Sequence, residues 1–195
     1  MTNTSATGGY LAPSSTSVGY DEAFKRQLTQ MVRGIAGLPD GSVRPRWQAI
    51  PPKQPPAGTA WAAIGITRIT PDWGAAIIHH PANEGADEVQ RHETVDVIAS
   101  FYGADLYGTA ARLRDGLSVA QNREAMRSAG IALLEAGEIV NAPEFVNQQW
   151  IERADLSLKF RREISRIYPV LNLLSAQGTF VPDASGSQPF TTPEN

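Results

Sequence analysis

The sequence predicts an α+β fold, and three stretches predict it. From Asp21 to Ala36, the apolar residues Phe24, Leu28, Met31, Val32 and Ile35 fall on one side of a helical period. In QWIERADLSLKFRRE, residues 149–163, Trp150, Ala154, Leu156, Leu158 and Phe160 alternate with Ile151, Arg153, Asp155, Ser157, Lys159 and Arg161. That is the pattern of a long antiparallel strand with one wet face. Between them, residues 88–102 alternate in the same way, turn at Gly103, and run into Leu106, Ala110, Leu113 and Leu117 at helical spacing.

The elements follow in order. Residues 1–20 are Ser, Thr, Gly and Asn with few apolar anchors, and are expected to form a flexible arm. Residues 21–169 are expected to be a single domain, and 170–195 an extended tail. Asp21 is the expected cap of the first helix and Gly37 its stop. The prolines of PDGSVRPRWQAIPPKQPPAG, 39–58, exclude a central strand. They leave Val43–Gln48 as a short edge strand and PPKQPP as a stiff extended loop. TAWAAIGITRIT, 59–70, reads as a strand bounded by Pro71, and GAAIIHH, 74–80, as another ended by Pro81. Within 88–102, Val95, Val97, Ala99 and Phe101 share a face opposite Thr94, Asp96 and Ser100. Asp105 is the expected cap of the helix carrying Leu106 to Leu117. A second helical piece spans Val119–Ala129 and ends at Gly130. Short strands are expected at Ile131–Leu134 and at Glu138–Val140, and there is no internal repeat.

Composition removes several functions. The 195 residues are 42% hydrophobic with a formal net charge of −3. A balance that weak points neither to wrapping nucleic acid nor to an acidic solvating tail. There is no cysteine, so disulfides, thiolate metal sites and cysteine nucleophiles are excluded. The first twenty residues have neither the basic start nor the apolar centre of a signal peptide. No run of about 18 apolar residues is present to span a membrane. Synthesis in the cytoplasm and no membrane partner are the expectations.

The stretch IIHHPANEGADEVQRHE, 77–93, holds all three histidines and four carboxylates. A zinc site needs three or four ligands converging near 2 Å. His79 and His80 are adjacent, so in a strand they point to opposite faces. His80 and His92 could meet across a hairpin, with Glu93 nearby, giving two or three ligands at most. The alternative is a polar hairpin end facing water, and this is the reading preferred. No HExxH, GxSxG, GxxxxGK[ST] or GxGxxG pattern occurs, so no cofactor is expected. The basic run KFRREISR, 159–166, is read as a contact with another chain or with DNA phosphate, set against a solvated strand face. Trp73, in a Pro-Asp-Trp-Gly turn, is the tryptophan expected in a subunit interface. With Lys159, Arg161, Arg162, Arg166 and Tyr168 it makes up the candidate interface set.

The second half carries a recognisable order. HETVDVIASFYGADLYG ends a strand in an aromatic turn, AARLRDGLS follows as a helix, and QWIERADLSLKFRREISRIYPV closes with a long strand. This resembles the neck and tail terminator proteins of tailed bacteriophages, in order of elements over residues 21 to about 169. The resemblance implies a mixed, mainly antiparallel sheet with helices on one face. It implies a structural virion protein without enzymatic activity or cofactor. Its partners would be copies of itself in a homo-hexameric ring, the tail tube protein, a neck or connector protein, and the sheath if the tail contracts. DNA would only pass through the lumen. Both termini are expected to lie on neighbouring subunits or partner proteins. The rival readings are another head–tail completion, collar or tail-tube protein, a host adaptor that binds peptide on an exposed strand, and a small metal-dependent hydrolase using His80, His92 and Glu93.

Overall fold

The structure is a computed structural model describing residues 3–16, 19–56, 58–173, 175–180 and 188–192. Parts of the expected arm (1, 2, 17 and 18) and tail (174, 181–187 and 193–195) lie outside the described residues, as does residue 57 of the Pro-rich segment. The chain divides into two compact units. The larger comprises residues 17–75 and 91–164, and the smaller 1–16, 76–90 and 165–195.

The larger unit holds a mixed, mainly antiparallel sheet with its helices on one face. Strand β1 (Val43–Pro45) pairs in parallel with β2 (Trp61–Pro71). Strand β2 runs antiparallel to β4 (Ala86–Tyr102), and β5 (Ile131–Asn141) antiparallel to β8 (Arg153–Tyr168). The strand order is β1-β2-β4-β8-β5. Helices α1 (Glu22–Ala36), α2 (Leu106–Gly116) and α3 (Ala120–Ser128) complete the unit. The core is what the alternation required. Val95, Val97, Ala99 and Phe101 of β4 and Ala154, Leu156, Leu158 and Phe160 of β8 are buried against Phe24, Leu28, Val32, Ala110 and Leu113. Each Val, Leu or Phe among them, withdrawn from water, contributes roughly 1.5–3 kcal/mol.

Chain breaks are set by local geometry. Gly37 ends α1 in the left-handed region, φ 69°, its N–H returning to the Arg33 carbonyl. Gly103, at φ 79°, turns the chain from β4 towards α2, and a Cβ there would lie 2.0 Å from the Thr59 carbonyl oxygen.

Several expectations are corrected. Asp21 and Asp105 occupy the N-cap positions of α1 and α2 but make no side-chain capping bond. Asp105 adopts φ 52°, not the extended backbone from which a cap reaches its amide. It meets Arg112 instead, at 2.9 Å. Residues 131–141 form one strand, with register shifts after Leu133 and Ala136, where two were expected. Ser100 sits on the polar face yet is fully buried, because Arg46 donates to its hydroxyl at 2.7 Å and it donates to Asp155 at 2.5 Å. The strand expected at 149–163 is two strands. β7 (Gln149–Ile151) folds back on β6 (Glu144–Val146), joined by Asn147 and Gln148 at φ 49° and 64°. Two left-handed residues in a two-residue loop make the tight hairpin whose twist suits paired strands. Trp150 therefore leaves the apolar row, and that row continues through Arg162 and Ile164 instead.

In the smaller unit, β3 (Ala76–His80) pairs antiparallel with residues Ala86–Gln90 of β4. β9 (Ala176–Phe180) pairs antiparallel with β10 (Gln188–Thr192), a strand pair the composition of the tail did not announce. The described part of the N-terminal segment is bonded to its own chain: the Ser5 and Ser14 N–H groups donate to the Pro169 and Ile167 carbonyls at 3.2 and 2.7 Å.

Candidate interaction surfaces

Two adjacent arginines of β8 define the two faces of the larger unit's sheet. Arg162 follows the period of two onto the core face and is 6% exposed. Its Nε donates to Glu93 Oε2 at 3.1 Å and its Nη1 to the Gly19 carbonyl at 3.2 Å. Nη2 lies 3.0 Å from the same Glu93 oxygen without the alignment of a hydrogen bond. Tyr20 donates to the other Glu93 oxygen at 2.5 Å. The guanidinium carbon sits 4.3 Å from the Tyr20 ring centre and 4.2 Å from that of Phe24. This cluster fastens the entry to α1, and Arg162, expected at an interface, is committed to it.

Arg161 points to the open face. It forms a two-pronged pair with Asp72, one contact at 3.1 Å. The hydrogen bonds from Arg161 hold the Asp72 carboxyl below its usual range, with charge from Arg161, His92 and Arg91 adding to this. In the same row, Lys159 meets Glu135 at 3.1 Å and Glu163 meets His92 at 3.3 Å. Arg91 donates to the Asp72 carbonyl at 2.9 Å. Trp73, next to Asp72, is fully exposed. Arg68 and Asp96 stand opposite each other in register and border, with Glu135 and Lys159, a shallow hollow of about 410 Å³. The face is thus a solvated band of both charge signs. Such pairs are worth little singly and are screened by salt. Arg166 and Tyr168, the remaining candidates, lie in the smaller unit, partly buried.

The histidines are distributed among separate carboxylates. His79 contacts Asp87 at 2.7 Å and the Asn172 side-chain oxygen at 2.9 Å, and these bonds, that to Asp87 first, raise its pKa. His80 pairs with Glu88 at 2.8 Å. The Glu88 carboxyl is held low by the Ser165 hydroxyl first and by His80 second. Asn172 also donates to the Pro81 and Asn83 carbonyls at 2.9 and 3.2 Å, clamping the hairpin tip. His80 faces Ala86 in register, not His92, and Glu93 is taken by Arg162. The convergence a metal site needs at His80, His92 and Glu93 is not formed, and no group of three or more potential ligands occurs among the described residues.

Two apolar features were missed. On the β6–β7 hairpin, Phe145 and Trp150 stand 61% and 69% exposed, their ring centres 5.1 Å apart. Behind it, Trp61 stacks on Tyr102 at 4.2 Å, and Pro55, Pro56 and Trp150 help enclose a hollow of about 630 Å³. A groove of about 490 Å³ runs between α1 and α3, walled by Met31, Ile35, Met126 and Ile131. The available signal was PEFVNQQW, short alternation around an Asn that tolerates left-handed backbone.

The phage neck terminator protein family matches residues 22–184 of this chain. No curated protein matches it.

Proposed function

The chain belongs to the phage neck terminator family, whose members are structural proteins of the virion tail and neck, and on that premise we propose that it forms a homo-hexameric ring at the head-proximal end of the tail. The ring ends tail-tube growth and joins the tube to the neck or connector. Its partners are copies of itself, the tail tube protein and a connector protein, with the sheath added if the tail contracts. DNA passes through the lumen, and a chain of net charge −3 would not grip it.

The observation that carries the reading is the family match over residues 22–184, which covers nearly all of the larger unit and residues 76–90 and 165–184 of the smaller. Surface composition supports it. Three of the four tryptophans, Trp47, Trp73 and Trp150, are exposed, as are Tyr10, Phe145 and Leu173. Single exposed apolar residues are ordinary, but exposed aromatic clusters mark contact surfaces. Among the described residues no helix is long and apolar enough to cross a membrane.

The test is deletion of the gene with imaging of the particles. The expected result is tubes of unregulated length and heads without joined tails, both restored by supplying the protein. Normal tails on filled heads would contradict the reading. Density for this chain elsewhere in an intact particle would assign it to another collar or head-completion role.

A further inference from the structure

We infer that the β6–β7 hairpin of one copy seats in the α1–α3 groove of the next, so that one repeated head-to-tail contact builds the ring. The inference rests on the ring reading above and names the contact.

The hairpin has the character of a knob. Its two-residue turn is tight, and its base is anchored where Arg153 pairs with Glu144 and, at 3.0 Å, with Asp155. The Phe145–Trp150 pair it presents is therefore ordered while still in water. Aromatic side chains of this kind bury roughly 150–250 Å² each on contact. Already 61% and 69% exposed rather than fully so, the pair would supply up to about a third of the ~800 Å² per partner of a stable interface, as its centre.

The groove has the complementary character. Its walls include Met31 and Met126, whose unbranched side chains adapt to an inserted ring. Its mouth is polar, at Gln27 and Gln30. Charge matches as well. Residues 138–152, which carry the hairpin, contain Glu138, Glu144 and Glu152; Glu144 is paired with Arg153, so Glu138 and Glu152 are the acidic residues that flank the knob. The helical walls, 22–35 and 120–129, contain five basic residues against two acidic. Complementary signs steer encounter and fix orientation.

Position excludes self-filling. The hairpin rises beside the end of the sheet where Asn141 pairs with Ala154, and the groove lies at the other end, where Ile131 pairs with Arg162. Along β8 those levels are about 26 Å apart, at roughly 3.3 Å per residue. A knob at one end and a socket at the other make a heterologous contact, which closes into a ring or extends as a filament according to its rotation.

The chain has no cysteine, so cross-linking tests the contact without background. Single variants Gln149→Cys and Gln30→Cys are mixed and treated with a short bis-maleimide. The expected result is a cross-linked pair from the mixture and none from either variant alone. In parallel, Trp150→Ala and Ala125→Glu are expected to weaken self-association about 30-fold or more, with unchanged circular dichroism. A closed ring whose mixed variants fail to cross-link overturns the inference and leaves the ring reading standing. Open filaments that do cross-link establish the contact and overturn the ring. A monomer that never cross-links, with tail tubes present or absent, overturns both.

Discussion

Arg161 and Arg162 are neighbours in one strand, each paired with a carboxylate, and they do opposite work. Arg162 is held by Glu93, the Gly19 carbonyl and two aromatic rings with almost no access to water. Arg161 holds Asp72 on a face open to water and salt. The difference is one residue of strand period, which sends successive side chains to opposite faces. It teaches that in this molecule the type of residue says less than the face it occupies. The buried arginine is part of the fold, while the exposed one belongs to a surface.

Breaking the buried side of the comparison should cost most. Arg162→Ala leaves Glu93 as an uncompensated buried charge and is expected to lower stability by about 3–5 kcal/mol. Urea denaturation of the purified protein measures this. Replacing both partners, Arg162→Met with Glu93→Leu, should cost clearly less than the single change, and an equal loss would show that the pair is not coupled. Leu156→Ala, on the same face, should cost about 2–5 kcal/mol by leaving a cavity in the core. Arg161→Ala should shift the midpoint far less, and moderate salt should erase the difference. A loss comparable to that of Arg162→Ala would refute the assignment of the two faces.

The smallest effects are those of pH, and they run in opposite directions. Asp72 is held low by Arg161. Its contribution is present above the ordinary carboxylate range and fades as pH falls through the lowered value. His79 is held high by Asp87 and then Asn172. Its contribution is complete below the ordinary histidine range and fades as pH rises through the raised value. Proton NMR of the His79 ring should show this, and Asp87→Asn should return its titration towards about 6.5.

Much of the architecture could be read from periodicity, because burial on one face writes itself into every second residue of β4 and β8. Apart from the β6–β7 hairpin and the unbroken β5, the order of helices and strands in the larger unit followed from that and from Gly37 and Gly103. What was not legible depended on backbone angles or distant partners. The left-handed Asn147–Gln148 turn split one expected strand into two and lifted Trp150 out of the core row. Arg162 reads as surface by type, and only the ring pair from Tyr20 and Phe24 together with Glu93 explains its burial. The groove between α1 and α3 is likewise a product of packing, with no local pattern to announce it.

The central claim is that this chain closes on itself as a ring. The most direct measurement is the mass of the purified protein by light scattering after gel filtration, with negative-stain images of the same fraction. The account predicts a hexameric mass and rings with a central hole. Open filaments, or a monomer that fails to form rings even on added tail tubes, would contradict it.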